Sequence, residues 1–204
     1  MKLTVCITCY KNDIHHLDEC LGYIRGQTVL PDEILVVANA IADDSYLRKK
    51  AEKEGFSLYT DVDQHLPGWG RNIGLQLAQN EVVAFCDVDD QWMPSKVEFI
   101  KNVWNDDMDA LVHNYYYKEF TTAENLDSYV EEITEVEPNN NNVRTKNVQP
   151  VHHGHITCKK SVGIMHKYRE DMVRGEDGNF CQRLVKDENI KIFYSPLKLM
   201  VYKA

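Results

Sequence analysis

No run in this 204-residue chain approaches the roughly 20 apolar residues that a membrane-spanning helix needs, so no membrane span is expected. The amino terminus also lacks the basic-then-apolar pattern of a secretory leader. Positive charge is scarce: 23 Lys and Arg against 32 Asp and Glu leave a net charge of -9 with His neutral. That balance excludes a general nucleic-acid binder, which needs an electropositive face to displace counterions. Six cysteines, at 6, 9, 20, 86, 158 and 181, show no spacing of a disulfide framework. They fall mostly in apolar runs or helical patterns, so they read as reduced core residues and the cytoplasm is the expected compartment. Cys6-Ile7-Thr8-Cys9 is formally a C-x-x-C, but it lies inside the first strand pattern and has no second pair. There is no internal repeat. With 43% hydrophobic and 10% aromatic residues, the chain suffices for one sizeable core and is short for two, so residues 1–204 are expected to form one domain.

What is present alternates. Residues 3–9 read as a strand, and Leu17, Cys20, Leu21 and Ile24 then recur at helical spacing before Gly26. A second apolar run, 34–37, follows Pro31-Asp32. Asp43-Asp44-Ser45 suits the start of a helix that carries Leu47 and Ala51 and stops at Gly55, with a short strand at 56–59 behind it. Ile73, Leu77 and Ala78 mark a helix leading into a strand at 82–86, and Pro94 opens a helix bearing Val97, Ile100, Val103 and Trp104. This repeated alternation of strand and helix predicts a mainly parallel central sheet with helices on both faces. Beyond Asp109 a strand is expected at 110–117, another near Ile156-Thr157-Cys158, a helix carrying Phe180, Leu184 and Val185, and a last strand at 190–194. Between them, residues 121–150 are polar, with four successive asparagines at 139–142. Such a segment is too long for an ordinary connection and is either functional or mobile.

Asp87-Val88-Asp89-Asp90 directly follows the apolar run 82–86. It puts a carboxylate cluster at the carboxyl end of a buried strand, where α/β proteins place metals and phosphates. Two carboxylates about 6 Å apart repel by roughly 3 kcal/mol at an effective dielectric near 20. A divalent cation reverses the sign, and hard oxygen ligands suit Mg²⁺ or Mn²⁺ shared with a substrate's phosphates. The motif alone favours an acidic surface turn.

Five segments, in order, resemble the family-2 glycosyltransferases of the GT-A fold. They are Val5-Cys6-Ile7-Thr8-Cys9-Tyr10, the second strand from Pro31 to Val37, Gly68-Trp69-Gly70-Arg71-Asn72-Ile73-Gly74, the D-x-D segment from Phe85 to Asp90, and Gly175-Glu176-Asp177 with Phe180 to Leu184 behind it. The resemblance implies a GT-A type nucleotide-binding fold and an inverting transfer of one hexosyl or N-acetylhexosaminyl unit. The donor would be a nucleotide-diphosphate sugar, with a UDP-sugar favoured, the acceptor a glycan or other hydroxyl, and the cofactor Mn²⁺ or Mg²⁺. Residues 1–108 would form the donor half and 109–204 the acceptor half. In that frame Asp89 holds a metal bridging the diphosphate and Asp87 meets a ribose hydroxyl. Arg71 supplies a fixed cation, and Thr8 and Tyr10 stand at the carboxyl end of the first strand, where such sheets bind ligands. Asp177, at a helix start whose dipole favours an ionised carboxylate, is the general base, with Glu176 beside it toward the acceptor.

The departures shape further expectations. Where the family has an Asp-rich turn, this chain reads Ala38-Asn39-Ala40-Ile41-Ala42. Asn39 then becomes a donor-binding residue whose amide both donates and accepts, which predicts loose discrimination of the base. The Gln-x-x-Arg-Trp signature of processive polymerases is missing, which favours one sugar per encounter. His152, His153 and His155 surround Gly154. His153 and His155 read as acceptor-binding or plain surface residues, with metal ligation the other use of such spacing. His113 and Tyr115 to Tyr117 line the acceptor site or alternate into the core, and Trp69 and Trp92 carry the same ambiguity. Two enzymatic readings and one non-enzymatic reading compete with this one. A haloacid-dehalogenase-type phosphatase shares D-x-D but has Gln91 at the motif's last position. A dinucleotide oxidoreductase would need a glycine where Ile73 stands. A sugar-nucleotide or glycan-binding module without turnover sits poorly with intact Asp89 and Asp177. The sequence names neither the acceptor nor an oligomeric state.

Overall fold

A computed structural model of the chain describes residues 1–117, 134–135 and 155–202. His152, His153 and, apart from 134–135, the polar segment 121–150 lie outside the described residues. The first half alternates as expected: β1 (Leu3–Tyr10), α1 (Leu17–Arg25), β2 (Glu33–Asn39), α2 (Ser45–Glu54), β3 (Ser57–Thr60), α3 (Pro67–Leu77), β4 (Val82–Asp87), β5 (Gln91–Trp92) and α4 (Lys96–Val103). It is followed by β6 (Ala110–Tyr117), β7 (Thr134–Glu135), β8 (Ile156–Lys159), α5 (Lys160–His166), α6 (Glu176–Lys186) and β9 (Ile192–Tyr202). One nine-stranded sheet runs in the order β3-β2-β1-β4-β8-β6-β9-β5, with β7 also on β9. β3, β2, β1 and β4 are mutually parallel, as are β6 and β9. β8 opposes both of its neighbours, and β5 and β7 oppose β9.

Alternation along the strands feeds two cores. Leu3, Val5, Ile7, Val36, Ala84 and Cys86 face Leu17, Cys20, Leu21 and Ile24 of α1, Leu47 and Ala51 of α2, and Val97 and Ile100 of α4. Cys6, Leu35, Val37, Val83 and Phe85 face Leu75 of α3, Val162 of α5, and Phe180, Cys181 and Leu184 of α6. Helices therefore cover both faces. Among the described residues the longest helices have 11 residues, too short to be stable alone in water. What fixes these helices is burial, worth about 1.5–3 kcal/mol for each large aliphatic side chain.

Five elements differ from the sequence reading. α3 leaves Leu77 45% exposed and only half-buries Ile73 against the second core. It turns Gly70, Arg71, Asn72, Gly74 and Leu75 inward instead. The cause is close approach: a Cβ on Gly74 would lie 2.2 Å from the Cys6 sulfur of β1. β9 extends well past 194, because the strand absorbs Pro196 as an irregularity. Its register on β6 jumps from His113 opposite Ser195 to Asn114 opposite Lys198. β5, β7 and α5 were not anticipated at all. α5 has only seven residues, and β5 has two.

Candidate active site

The register brings the expected donor residues to one end of the sheet. Thr8 lies opposite Val37 on one side and Asp87 on the other, and Tyr10 lies opposite Asn39. Thr8 Oγ1 donates to Asp87 Oδ1 at 3.1 Å. Above these strand ends opens a cleft of about 1380 Å³ whose lining includes Thr8, Tyr10, Asn39, Arg71, Asp87 and Asp89. Glu176 and Asp177, from the other end of the chain, line the same cleft. Gly175, just before α6, takes a left-handed φ of 76° that L side chains rarely adopt, and this turn aims the first residues of α6 at the cleft.

Arg71 knits the two halves together. It is 5% exposed, reaches Asp87 Oδ1 with Nη2 at 3.6 Å, pairs through Nη1 with Glu176 Oε1, and lies 5.5 Å from the centre of the Tyr168 ring. Burial works against its charge, but Asp87 and Glu176 more than offset it and hold the guanidinium above its ordinary value. Glu176 is 4% exposed, so its carboxylate is turned toward Arg71 rather than presented to solvent. Next along α3, Asn72 grips the backbone of Tyr168: its Oδ1 accepts from the Tyr168 N–H at 2.8 Å and its Nδ2 donates to the Tyr168 carbonyl at 2.9 Å.

Asn39 forms a similar clamp. Its Nδ2 donates to the His65 carbonyl at 2.7 Å, and its Oδ1 accepts from the His65 N–H at 3.0 Å. The amide expected to read a base edge is thus engaged with a loop that itself lines the cleft. The His65 ring stacks on Trp69 at 4.0 Å.

Burial, and then the neighbouring Asp87 charge, push the Asp89 carboxyl above its ordinary value. A group held that way fits a divalent cation, which would remove the repulsion. Among the described residues the group of three possible ligands within 4.8 Å of one another is Asp61, Asp63 and His65, not the D-x-D turn. Asp61 Oδ1 is already taken by the Asp63 N–H at 2.9 Å, and a site sharing its ion with a diphosphate needs only one or two carboxylates.

Two site features were missed in the sequence. Tyr202, the last residue of β9, lines the cleft. Its phenol is raised by burial and then by Asp90, Asp87, Asp89 and Asp177, so the acids of both halves act on one group. The continuous apolar run Leu199-Met200-Val201-Tyr202 was the available signal, obscured by Pro196. The second feature is the loop Met172-Val173-Arg174, which lines the cleft but shows no pattern in sequence. His155, expected near the acceptor, does not line this cleft. It is fully buried, its ring 5.7 Å from His113 and 5.1 Å from Tyr115.

Fold and cleft together define an α/β protein with an open cleft at the carboxyl ends of its parallel strands, beside the acidic turn after β4. Residues 4–170 match the sequence model of glycosyl transferase family 2, and the chain belongs to that family. It is 25% identical over 138 residues to the putative glycosyltransferase EpsH of Bacillus subtilis, covering 67% of this chain and 40% of that protein. An uncharacterized glycosyltransferase of Nostoc sp. is 30% identical over 118 residues, 56% of this chain and 36% of that one. The fold is that of S. aureus TarS residues 1–349, crystallised with UDP-GlcNAc, at a TM-score of 0.73 and 18% identity, covering all of this chain and 59% of that one. It is also that of the mannosyltransferase PcManGT of Pyrobaculum calidifontis, crystallised with GDP-Man and Mn²⁺, at a TM-score of 0.67 and 16% identity over 98% of this chain and 56% of that one. The chain thus spans well under two thirds of the length of these relatives. Family membership displaces the phosphatase and oxidoreductase alternatives. Among the described residues no helix is long and apolar enough to cross a membrane, and all six cysteines are buried free thiols.

Proposed function

We propose that this chain is an inverting, metal-dependent glycosyltransferase domain that moves one sugar from a nucleotide-diphosphate sugar, UDP-linked by preference, to an acceptor hydroxyl. The observation that carries the reading is that Asp87 and Asp89 at the end of β4 and Asp177 at the start of α6 open into one cleft with Arg71 between them. The donor belongs over the ends of β1, β2 and β4, on Thr8, Tyr10 and Arg71, with Asp87 toward the ribose. Asp89 would hold Mn²⁺ or Mg²⁺. When bound, that ion would supply positive charge against the diphosphate as the bond to the sugar breaks.

Asp177 accepts the proton of the acceptor hydroxyl, whose oxygen attacks the anomeric carbon on the side opposite the departing nucleotide diphosphate, inverting that centre. Its place in the first turn of α6 suits this task, because the helix dipole favours the ionised base. Glu176 holds Arg71 rather than the acceptor, so the base-bearing helix and the donor-side cation move as one unit. The two halves, residues 1–108 and 109–204, supply donor and acceptor walls respectively, and the six reduced thiols suit the cytoplasm. Incubation with UDP-sugars and Mn²⁺ tests the reading: UDP release that requires both the ion and a hydroxyl acceptor is expected. Binding of UDP without any release across a panel of sugars and acceptors would leave a binding module instead.

A further inference from the structure

The segment that carries the chain into α6 buries too little to place itself. Between Tyr168 and Glu176, both buried, residues 169–175 are exposed apart from half-buried Met172. A stretch with so few buried contacts opens locally at small cost unless its ends are held from outside. Both ends are held by neighbouring residues of α3. Arg71 takes Glu176, and Asn72, itself buried, clamps the Tyr168 backbone. The Asn72 Nδ2 also donates to Glu170 Oε1 at 2.8 Å. One turn earlier, Gly68 sets the spacing. A Cβ there would lie 2.2 Å from the Arg169 carbonyl oxygen, so glycine is what lets the segment approach α3.

From Tyr168 the hold passes to α6. The Tyr168 ring stacks on Phe180 at 4.1 Å and meets Phe85 of β4 edge-on at 5.5 Å. Phe180 lies three residues beyond Asp177, a spacing that puts the two on one side of the helix. Arg183, further along α6, returns the tie by donating to the carbonyls of His166 and Lys167. Sliding or rotation of α6 therefore drags Tyr168 with it. Asn72 opposes that movement from α3.

We propose that Asn72 is a positioning residue of the transfer step: by clamping Tyr168 it fixes the segment 169–175 and, through the Tyr168–Phe180 stack, the angle at which α6 presents Asp177 to the cleft. This rests on the reading of Asp177 as the base. Asn72 acts through Asp177 and does not itself line the cleft.

Release of UDP from UDP-hexoses and UDP-N-acetylhexosamines with Mn²⁺, to water or to an added glycan, tests it. The full chain is compared with Asn72→Ala, Gly68→Ala, Asp177→Asn and the double variant Asn72→Ala/Asp177→Asn. Calorimetry of UDP with Mn²⁺ and amide hydrogen exchange over residues 168–177 accompany the assay. Asn72→Ala removes the clamp, while Gly68→Ala pushes the same segment aside. Each should lower kcat by roughly ten- to a hundredfold, the cost of misplacing a catalytic group by about 1 Å. UDP affinity should hold, and amides 168–177 should exchange faster in Asn72→Ala. In the Asp177→Asn background the loss of Asn72 should cost little more, because residues acting as one unit are not additive. A merely structural role would not produce that result. If Asn72→Ala fails to fold, Gly68→Ala decides, since alanine suits a helix and the segment it displaces is exposed. Wild-type kcat in either folded variant, full additivity with Asp177→Asn, or a parallel loss of UDP affinity would overturn the proposal. Wild-type turnover in Asp177→Asn, or no UDP release by the unmodified chain, would overturn the base reading instead. Faster exchange at 168–177 in Asn72→Ala would then still assign the hold on the segment to Asn72, and unchanged exchange would remove it.

Discussion

Asp89 and Asp177 are the same side chain in different surroundings, and the proposed mechanism gives them different tasks. Asp89 is raised by burial and by Asp87, so the folded chain holds its proton more tightly than the unfolded chain does. A raised folded value contributes stability below the ordinary value of 3.8, and that contribution is lost as pH rises through the folded value. Without metal, Asp89→Asn should therefore melt higher than the wild type at neutral pH, with the difference closing toward about pH 3. Thermal melts in EDTA across that range check this, and a variant less stable than wild type at pH 7 would sink it. Adding Mn²⁺ with UDP should raise the wild type and leave the variant unmoved. Asp177→Asn keeps shape and most hydrogen bonding but cannot take a proton. Transfer should fall by roughly 10² to 10⁴ while donor affinity stays put, the expected signature of a lost general base. A collapse of nucleotide binding in that variant would assign Asp177 to the donor instead.

Among the elements, the strands were legible because burial on both faces writes a continuous apolar run, as at 34–37 and 82–86. The face of α3 was not, because close packing against β1 selects glycine there, and glycine carries no hydrophobic signal. Arg71 was expected as a donor-side cation, but nothing local shows that its partner Glu176, like the Tyr168 partner of Asn72, comes from about 100 residues away. The turn after β2 was legible only in part. Its unusual sequence was visible, but not that Asn39 spends its amide on the His65 backbone. Asn39→Ala should therefore weaken all nucleoside diphosphates by similar factors, through a loosened loop. A changed ranking of UDP, GDP, TDP and CDP in competition binding would mean that the amide reads the base after all. Ala40, the next residue, sits at φ 61°, a region that costs a side chain about 1–2 kcal/mol. Ala40→Gly should relieve that strain, partly offset by the greater freedom of glycine in the unfolded chain, for a net gain of about 1 kcal/mol by denaturant titration. A loss of stability would show that the Ala40 methyl is needed for packing.

At the scale of the whole molecule, sequence-distant strands close the sheet. β3, β2, β1 and β4 are neighbours made from the first 87 residues, whereas β5, at 91–92, finds its partner only at Met200 and Val201. During synthesis the amino-terminal layers can therefore assemble on the ribosome while the acidic turn between β4 and β5 still has one open flank. Arg71 waits in the same way for Glu176. Contacts of such long sequence separation form slowly, because the intervening chain must be ordered first. The nascent chain should thus acquire its capacity for chemistry last. A ribosome-bound chain arrested with residue 190 just exposed is expected to protect its β1 and β4 amides from exchange while binding no nucleotide, and protection and binding should converge only after β9 emerges.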